Sequence, residues 1–199
     1  PRLPHLQPPA MSPDPELDEQ RPERLSDELY MGFALAEARR AFDRDEVPIG
    51  AVIVLDGRVL ARGHNLTRWR RDPLAHAELR ALSRATRATG DLRLPGAVVY
   101  TTVEPCFMCA GAMVHARIAR VVWAVRDEKF GGGASLGQVL QVAGANHQVD
   151  YSEGVRAAEA RALLQEFFQS KRMAARQSRI RSGPGADMAK DSVEESGQA

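Results

Sequence analysis

The chain has 199 residues, 44% of them hydrophobic, and a formal net charge of +1. That length suits one globular domain with a proper core, and the near-neutral balance neither demands nor excludes a polyanionic partner. Two cysteines three positions apart cannot found a disulfide scaffold, and no apolar run reaches the ~18–20 residues of a membrane span; a cytoplasmic protein with free thiols and no membrane attachment is expected.

Residues 1–25 are rich in proline and acidic residues, lack apolar periodicity and read as a disordered arm. The domain is expected over 26–180, and the Gly-, Ser- and charge-rich stretch 181–199 reads as a flexible tail. Ser26 is the expected N-cap of a first helix, with Asp27 and Glu28 in its positive first turn. Met31, Leu35, Ala38 and Phe42 then recur at helical spacing until Pro48 and Gly50 end the pattern. Segments 51–55 and 58–63 flank Asp56-Gly57, a strong hairpin signal. After a loop holding Asp72-Pro73, residues 75–88 read as a helix ending near Gly90. Residues 97–102 read as a buried strand, 106–118 as a helix, 120–125 as a strand and 155–173 as a last helix. A hairpin followed by alternating helices and strands predicts an α/β layered fold with a mixed sheet.

The chemistry-bearing pattern is His76-Ala77-Glu78 followed by Pro105-Cys106-Phe107-Met108-Cys109. One imidazole and two thiolates, His76, Cys106 and Cys109, can hold one zinc ion and leave a fourth position for water. Glu78, two residues from the imidazole, is then free to act as a proton shuttle rather than as a ligand. Both ligand-bearing helices are expected to point their N-termini at the metal, where the helix dipole favours thiolates. Pro105 suits a first helical turn. Two blander readings stand beside this one: a redox dithiol, which leaves His-Ala-Glu unexplained, and a structural zinc, which needs a fourth ligand such as His64, His115 or His147.

The paired motifs resemble the signature of zinc nucleobase deaminases. Longer stretches resemble bacterial tRNA-specific adenosine deaminases of the TadA type: residues 46–52, Gly63-His64-Asn65, Asp72-Pro73, 104–113 continuing to His115, Arg117 and Ile118, then 126–129 and Asn146-His147. This resemblance implies a three-layer αβα cytidine deaminase-like fold with a mixed central sheet of about five strands, and a homodimer with one zinc per subunit. It also implies hydrolytic conversion of adenosine to inosine at the wobble position of an arginine tRNA with an ACG anticodon. Asn65 resembles the asparagine that hydrogen-bonds the target nucleoside. Asp127 and Lys129 match a loop near the anticodon nucleotides, and Phe168, Lys171 and Arg172 match a C-terminal helix near the RNA. Gly131-Gly132-Gly133 departs from the family pattern and reads as a flexible loop.

Independent support for RNA comes from composition. Residues 156–181 carry seven basic residues against Glu159 and Glu166, with Phe167 and Phe168 among them, and Arg68-Trp69-Arg70-Arg71 forms a second cluster. A solvated helix face with core aromatics accounts for the same residues, more readily still for Phe167. The zinc motifs alone also fit a free-base or nucleoside deaminase acting on guanine or cytosine, and a non-catalytic zinc or RNA-binding subunit is the third alternative.

Overall fold

In the computed structural model, residues 21–182 are described, with side chains for 25–178. Of the expected arm (1–25) and tail (181–199), residues 1–20 and 183–199 lie outside the described residues, while 21–25 and 181–182 belong to helices. Strands β1 (Gly50–Leu55), β2 (Arg58–His64), β3 (Val98–Val103), β4 (Arg120–Val125) and β5 (Asp150–Glu153) form one sheet in the order β2-β1-β3-β4-β5. β1 is antiparallel to β2 and to β3, whereas β3, β4 and β5 run parallel.

Side chains alternate across the pleat, and each face carries its own core. Val52, Val54, Tyr100, Val122 and Ala124 pack against Met31 and Ala34 of helix α1 (Arg21–Phe42) and Ala160 of helix α5 (Ala157–Ser182). On the other face, Ala51, Ile53, Val99, Val121 and Trp123 meet Ala77, Ala81, Leu82 and Ala85 of helix α3 (Ala77–Thr89). Helix α4 (Phe107–His115) adds Ala110 and Met113 to that core. The result is the expected three-layer αβα fold with a five-stranded mixed sheet.

Several boundaries differ from the sequence reading. α1 begins at Arg21 rather than near Ser26, since Pro22 is compatible with a first helical turn. Ser26 is therefore inside the helix, and Asp27, 5% exposed, is not a solvated first-turn acid. It accepts hydrogen bonds from the Tyr100 hydroxyl (2.8 Å) and Arg120 (2.6 Å), tying α1 to β3 and β4. The buried stripe of α1 is alanine-rich, with Ala34, Ala38 and Ala41 fully buried and Leu35 and Phe42 only partly so. Close approach explains this: a methyl group on Gly50 would overlap the Ala34 carbonyl and the Ala38 nitrogen. α4 stops at His115 rather than 118, because Arg117 adopts a left-handed conformation (φ 59°). A four-residue helix, α2 (Thr67–Arg70), occupies the expected loop. α5 runs nine residues past the expected end at 173.

Candidate active site

The start of β1 and the ends of β2, β3 and β4 meet along one edge of the sheet. Ligand sites in open α/β sheets collect at the C-terminal ends of parallel strands. Here the segments leaving those ends enclose a cavity of about 920 Å³. Ile49, Asn65, Val103, residues 125–130 and the α5 residues Arg161, Leu164 and Phe168 form its walls. His76, Glu78 and Cys106 line it as well.

His76 and Cys106 are the N-caps of α3 and α4, each with an extended backbone (ψ 151° and 170°). The two helix N-termini therefore converge as expected, although Pro105 precedes the cap instead of occupying the first turn. Cys106 Sγ and Cys109 Sγ lie 3.7 and 3.6 Å from His76 Nδ1. The three ligand atoms fall within 4.8 Å of one another and can hold one metal ion. The other histidines considered as a fourth ligand do not join this group. His64 Nδ1 bonds the Glu37 carboxylate at 2.8 Å, and His147 Nε2 bonds the Ile118 carbonyl at 2.6 Å.

The electrostatics suit a cation. Hydrogen bonds from Cys109 and His76 hold the Cys106 thiol down to about 4. The shared Cys106–Cys109 bond, with burial, pushes the Cys109 thiol up. His76 is raised, first by its hydrogen bond with Cys106. Glu78 is 4% exposed, and burial lifts its carboxyl to about 7 against the opposing effects of its own backbone N–H and His76. It is thus balanced between proton donor and acceptor near neutrality.

Glu104 also lines the cavity. Buried at 2% exposure, it accepts backbone N–H bonds from Asp127 (3.1 Å), Gly133 (3.2 Å), Ala134 (2.7 Å) and Ser135 (2.8 Å), and a bond from the Ser135 hydroxyl (2.5 Å). Burial alone would raise its pKa, but these donors lower it below the ordinary carboxylate value. The flexible reading of Gly131-Gly132-Gly133 is overturned here. All three glycines are buried, and none has positive φ. A Cβ on Gly131 would lie 2.5 Å from the Glu104 carboxyl, one on Gly132 2.7 Å from Phe107, and one on Gly133 3.1 Å from Trp123. They are there for space, so that the loop packs against Glu104 and the start of α4.

Of the other residues anticipated at the site, Asn65, Asp127, Lys129 and Phe168 line the cavity. Asn65 is 5% exposed, and its backbone N–H is fixed to the Ile49 carbonyl at 3.0 Å. Asp127 Oδ1 also accepts the N–H groups of Lys129 and Phe130, so it shapes the loop it belongs to. Lys171 and Arg172 are not in the wall; they lie three and four residues beyond Phe168 on α5. Lys171 is bound to Asp45 and lies over the Phe167 ring, while Arg172 is exposed. Phe167 is core, at 3% exposure, whereas Phe168 is 44% exposed.

Sequence reasoning passed over three buried acids that brace the site. Glu46, fully buried, accepts the Trp69 N–H (2.7 Å) and the Thr67 hydroxyl (3.2 Å), fixing α2. Glu37 holds His64 beside Asn65, and Glu104 holds the 127–135 loop. Glu37 carried a signal, because it stands among the buried alanines of an otherwise apolar helical stripe.

Comparison with known proteins agrees with this geometry. Residues 25–172 match the family model of the MafB19-like deaminases. The tRNA-specific adenosine deaminase of Bacillus subtilis (strain 168) is 44% identical over 146 residues, 73% of this chain and 91% of its own. The tRNA-specific adenosine deaminase of Agrobacterium fabrum (strain C58) is 46% identical over 144 residues, 72% and 95%. A solved structure from studies of A-to-I editing by tRNA:A34 deaminases at the wobble position superposes with a TM-score of 0.66 at 46% identity, covering 68% of this chain and 98% of that one. A guanine deaminase from Nitrosomonas europaea superposes at 0.62 with 27% identity, covering 70% and 83%. The fold is the cytidine deaminase-like fold of these neighbours, and the chain belongs to the tRNA-specific adenosine deaminase family.

Proposed function

We propose that the chain deaminates adenosine to inosine at the wobble position of a tRNA with an ACG anticodon, using one zinc ion per subunit. The carrying observation is that the buried Glu78 lines one cavity together with His76 and Cys106 of a His-Cys-Cys group that could hold a metal ion. What supports zinc is the donor set and its spacing. Zinc bond lengths at a tetrahedral angle give a nitrogen-to-sulfur edge of ~3.6 Å, against the 3.6 and 3.7 Å found here. When bound by His76, Cys106 and Cys109, the metal supplies Lewis acidity that brings the pKa of water from 15.7 to roughly 7.

The chain's own residues carry the remaining chemistry. Glu78 accepts one proton of the attacking water and delivers it to the purine ring nitrogen as the C6–O bond forms. It then takes the second proton from the new C6 hydroxyl and passes it to the amino group, so that the C6–N bond breaks, ammonia leaves and a C6 carbonyl remains. Asn65 presents one donor and one acceptor group to the nucleoside. Phe168 offers a partly exposed ring on which an unpaired base can stack. Asp127 and Lys129 stand on the loop that Glu104 holds against the cavity. The cavity lies at the upper end of the ~300–1,000 Å³ range of small-molecule sites, which favours a substrate larger than a free base. Loop bases are already partly unstacked, so extrusion costs less there than from a duplex.

We place the protein in the cytoplasm as a homodimer. In support, Cys106 and Cys109 are free thiols, and none of the described helices is long and apolar enough to cross a membrane. Phe107 and Leu136, 49% and 57% exposed, leave apolar surface on the α4 side. The deciding assay is inosine formation in an ACG anticodon stem-loop with free adenosine, cytidine and guanine in parallel. Inosine in the RNA alone is expected; turnover of guanine alone would move the protein to the activity of its Nitrosomonas neighbour.

A further inference from the structure

Behind the segment that carries His76 lies a second recess, of about 310 Å³, and it is built from arginines. Arg80, Arg84 and Arg87 follow one another at spacings of four and three on α3, and so share a helix face. Arg70, at the end of α2, closes the recess from the other side. None of the four makes an ion pair among the described residues. The one acid in the wall, Asp72, accepts the Leu74 N–H at 2.8 Å within its own turn. Glu37 acts on Arg80 through space, but its carboxylate is held by Arg40 (2.7 Å) and His64 (2.8 Å).

Two of these guanidiniums are fixed without being neutralised. Arg80 donates to the His64 carbonyl, and Arg84 donates to the Arg62 carbonyl at 2.6 Å. A carbonyl orients a guanidinium but leaves its charge unopposed and its remaining N–H groups available. The cluster repels itself, for burial and the neighbouring Arg84 and Arg70 bring the Arg80 pKa down to about 10. Four like charges held at one recess form a site for an anion with several acceptor oxygens.

We propose that this recess binds a backbone phosphate of the RNA substrate, at a nucleotide flanking the one held in the catalytic cavity. The inference rests on the RNA substrate reading above. Position favours a strand over a free anion. Ala75 and Leu79 line the arginine recess, while the adjoining His76 and Glu78 line the catalytic cavity, so the two sites share one wall. A polyanion whose base enters the cavity passes the recess with its own backbone.

The test uses the full chain with zinc supplied. Binding of a fluorescein-labelled anticodon stem-loop is measured by anisotropy across a salt series, and inosine formation is measured in parallel. The variants are R84E/R87E and, as the conservative partner, R84K. R58E, at the start of β2 on the hairpin, controls for charge reversal at a site away from the recess. R84E/R87E should weaken RNA binding roughly ten- to hundredfold and flatten the salt slope by about 1 to 2, as the loss of one or two phosphate contacts requires. R84K should restore most of the affinity, R58E should change it little, and KM should move more than kcat.

An unchanged slope and affinity in R84E/R87E, with the wild type editing normally, would overturn the inference while leaving the proposed function intact. Wild-type RNA binding with no inosine would instead sink the editing reading, and the salt slopes would then judge the phosphate site alone. A thermal shift with inorganic phosphate that the double variant abolishes, without any change in RNA slope, would reassign the recess to a free anion. Loss of the wild-type oligomeric mass in R84E/R87E, with RNA affinity per folded subunit unaltered, would assign the arginines to a protein contact and equally overturn the inference.

Discussion

At the scale of single residues, the site depends on carboxylates held in unlike surroundings. Glu78 is buried beside the His-Cys-Cys group, and that burial lifts its carboxyl to about 7, which suits the proposed role of giving and taking a proton. Glu78→Gln keeps its size and removes its basicity. Turnover should fall by about 10²–10⁴ or more, while metal content by elemental analysis and the melting temperature stay near wild type. Loss of metal in that variant would show that Glu78 belongs to the ligand set. Glu104 is the contrasting case, an acid kept ionised by five donors. Glu104→Ala strands those N–H groups in a buried wall, and a cost of about 2–4 kcal/mol is expected by urea unfolding. Because its folded pKa is depressed, its contribution is present above the unfolded carboxylate value and is lost as pH falls through the lower folded one. The stability gap between wild type and Glu104→Ala should therefore narrow in acid; a gap constant from pH 7 to 3 would refute the charged role.

At the scale of elements, two glycines set the spacing between helices and sheet. A Cβ on Gly63 would overlap the Ala77 carbonyl and lie 2.8 Å from the Ala81 nitrogen, as Gly50 does for α1. Gly63→Ala should thus push α3, which carries the His76 ligand, away from β2. About 2–4 kcal/mol of destabilisation is expected, as for other overpacked sites, together with weaker metal retention. Gly90→Ala is the comparison: it meets nothing within 4 Å, and only its positive φ (76°) opposes a side chain. Its cost should be smaller and its metal content normal, so equal losses at both positions would refute the spacing argument.

The same elements show what the sequence could and could not disclose. β1, β3 and β4 were legible because their β-branched runs are buried on both faces. β5 was not, because Asp150-Tyr151-Ser152-Glu153 is a polar edge strand. Its side chains answer partners remote in sequence, Ser152 to Arg120 and Glu153 to Trp123 and Arg126. The clustering of His76, Cys106 and Cys109 beside Glu78 was legible because the expected chemistry demands those residue types at that spacing. The bracing roles of Glu37, Glu46 and Glu104 were not, since each depends on a partner that only the fold brings near. Lys171 illustrates the converse. The resemblance places it near the RNA, and the fold pairs it with Asp45, a partner that the sequence did not point to.

At the scale of the whole molecule, a metal held by His76, Cys106 and Cys109 would be a clasp between elements that the sheet already holds. The three residues that could hold it stand at the N-termini of α3 and α4, and both helices pack on one face of the sheet through Ala77, Ala81, Ala110 and Met113. The opposite face has a separate core with no ligand in it. Removing the metal should therefore loosen one layer and leave the other intact, unlike a small zinc domain that unfolds outright. Dialysis against a chelator should lower the melting temperature and abolish deamination, with most far-ultraviolet helical signal retained. Stabilisation on adding zinc back should grow with the logarithm of free zinc, about 1.4 kcal/mol per tenfold excess over the dissociation constant. Amide exchange should locate the change, with protection lost in residues 76–85 and 106–113 and kept in residues 31–41 of α1. Uniform loss of protection across both layers would mean that the ion holds the fold itself together.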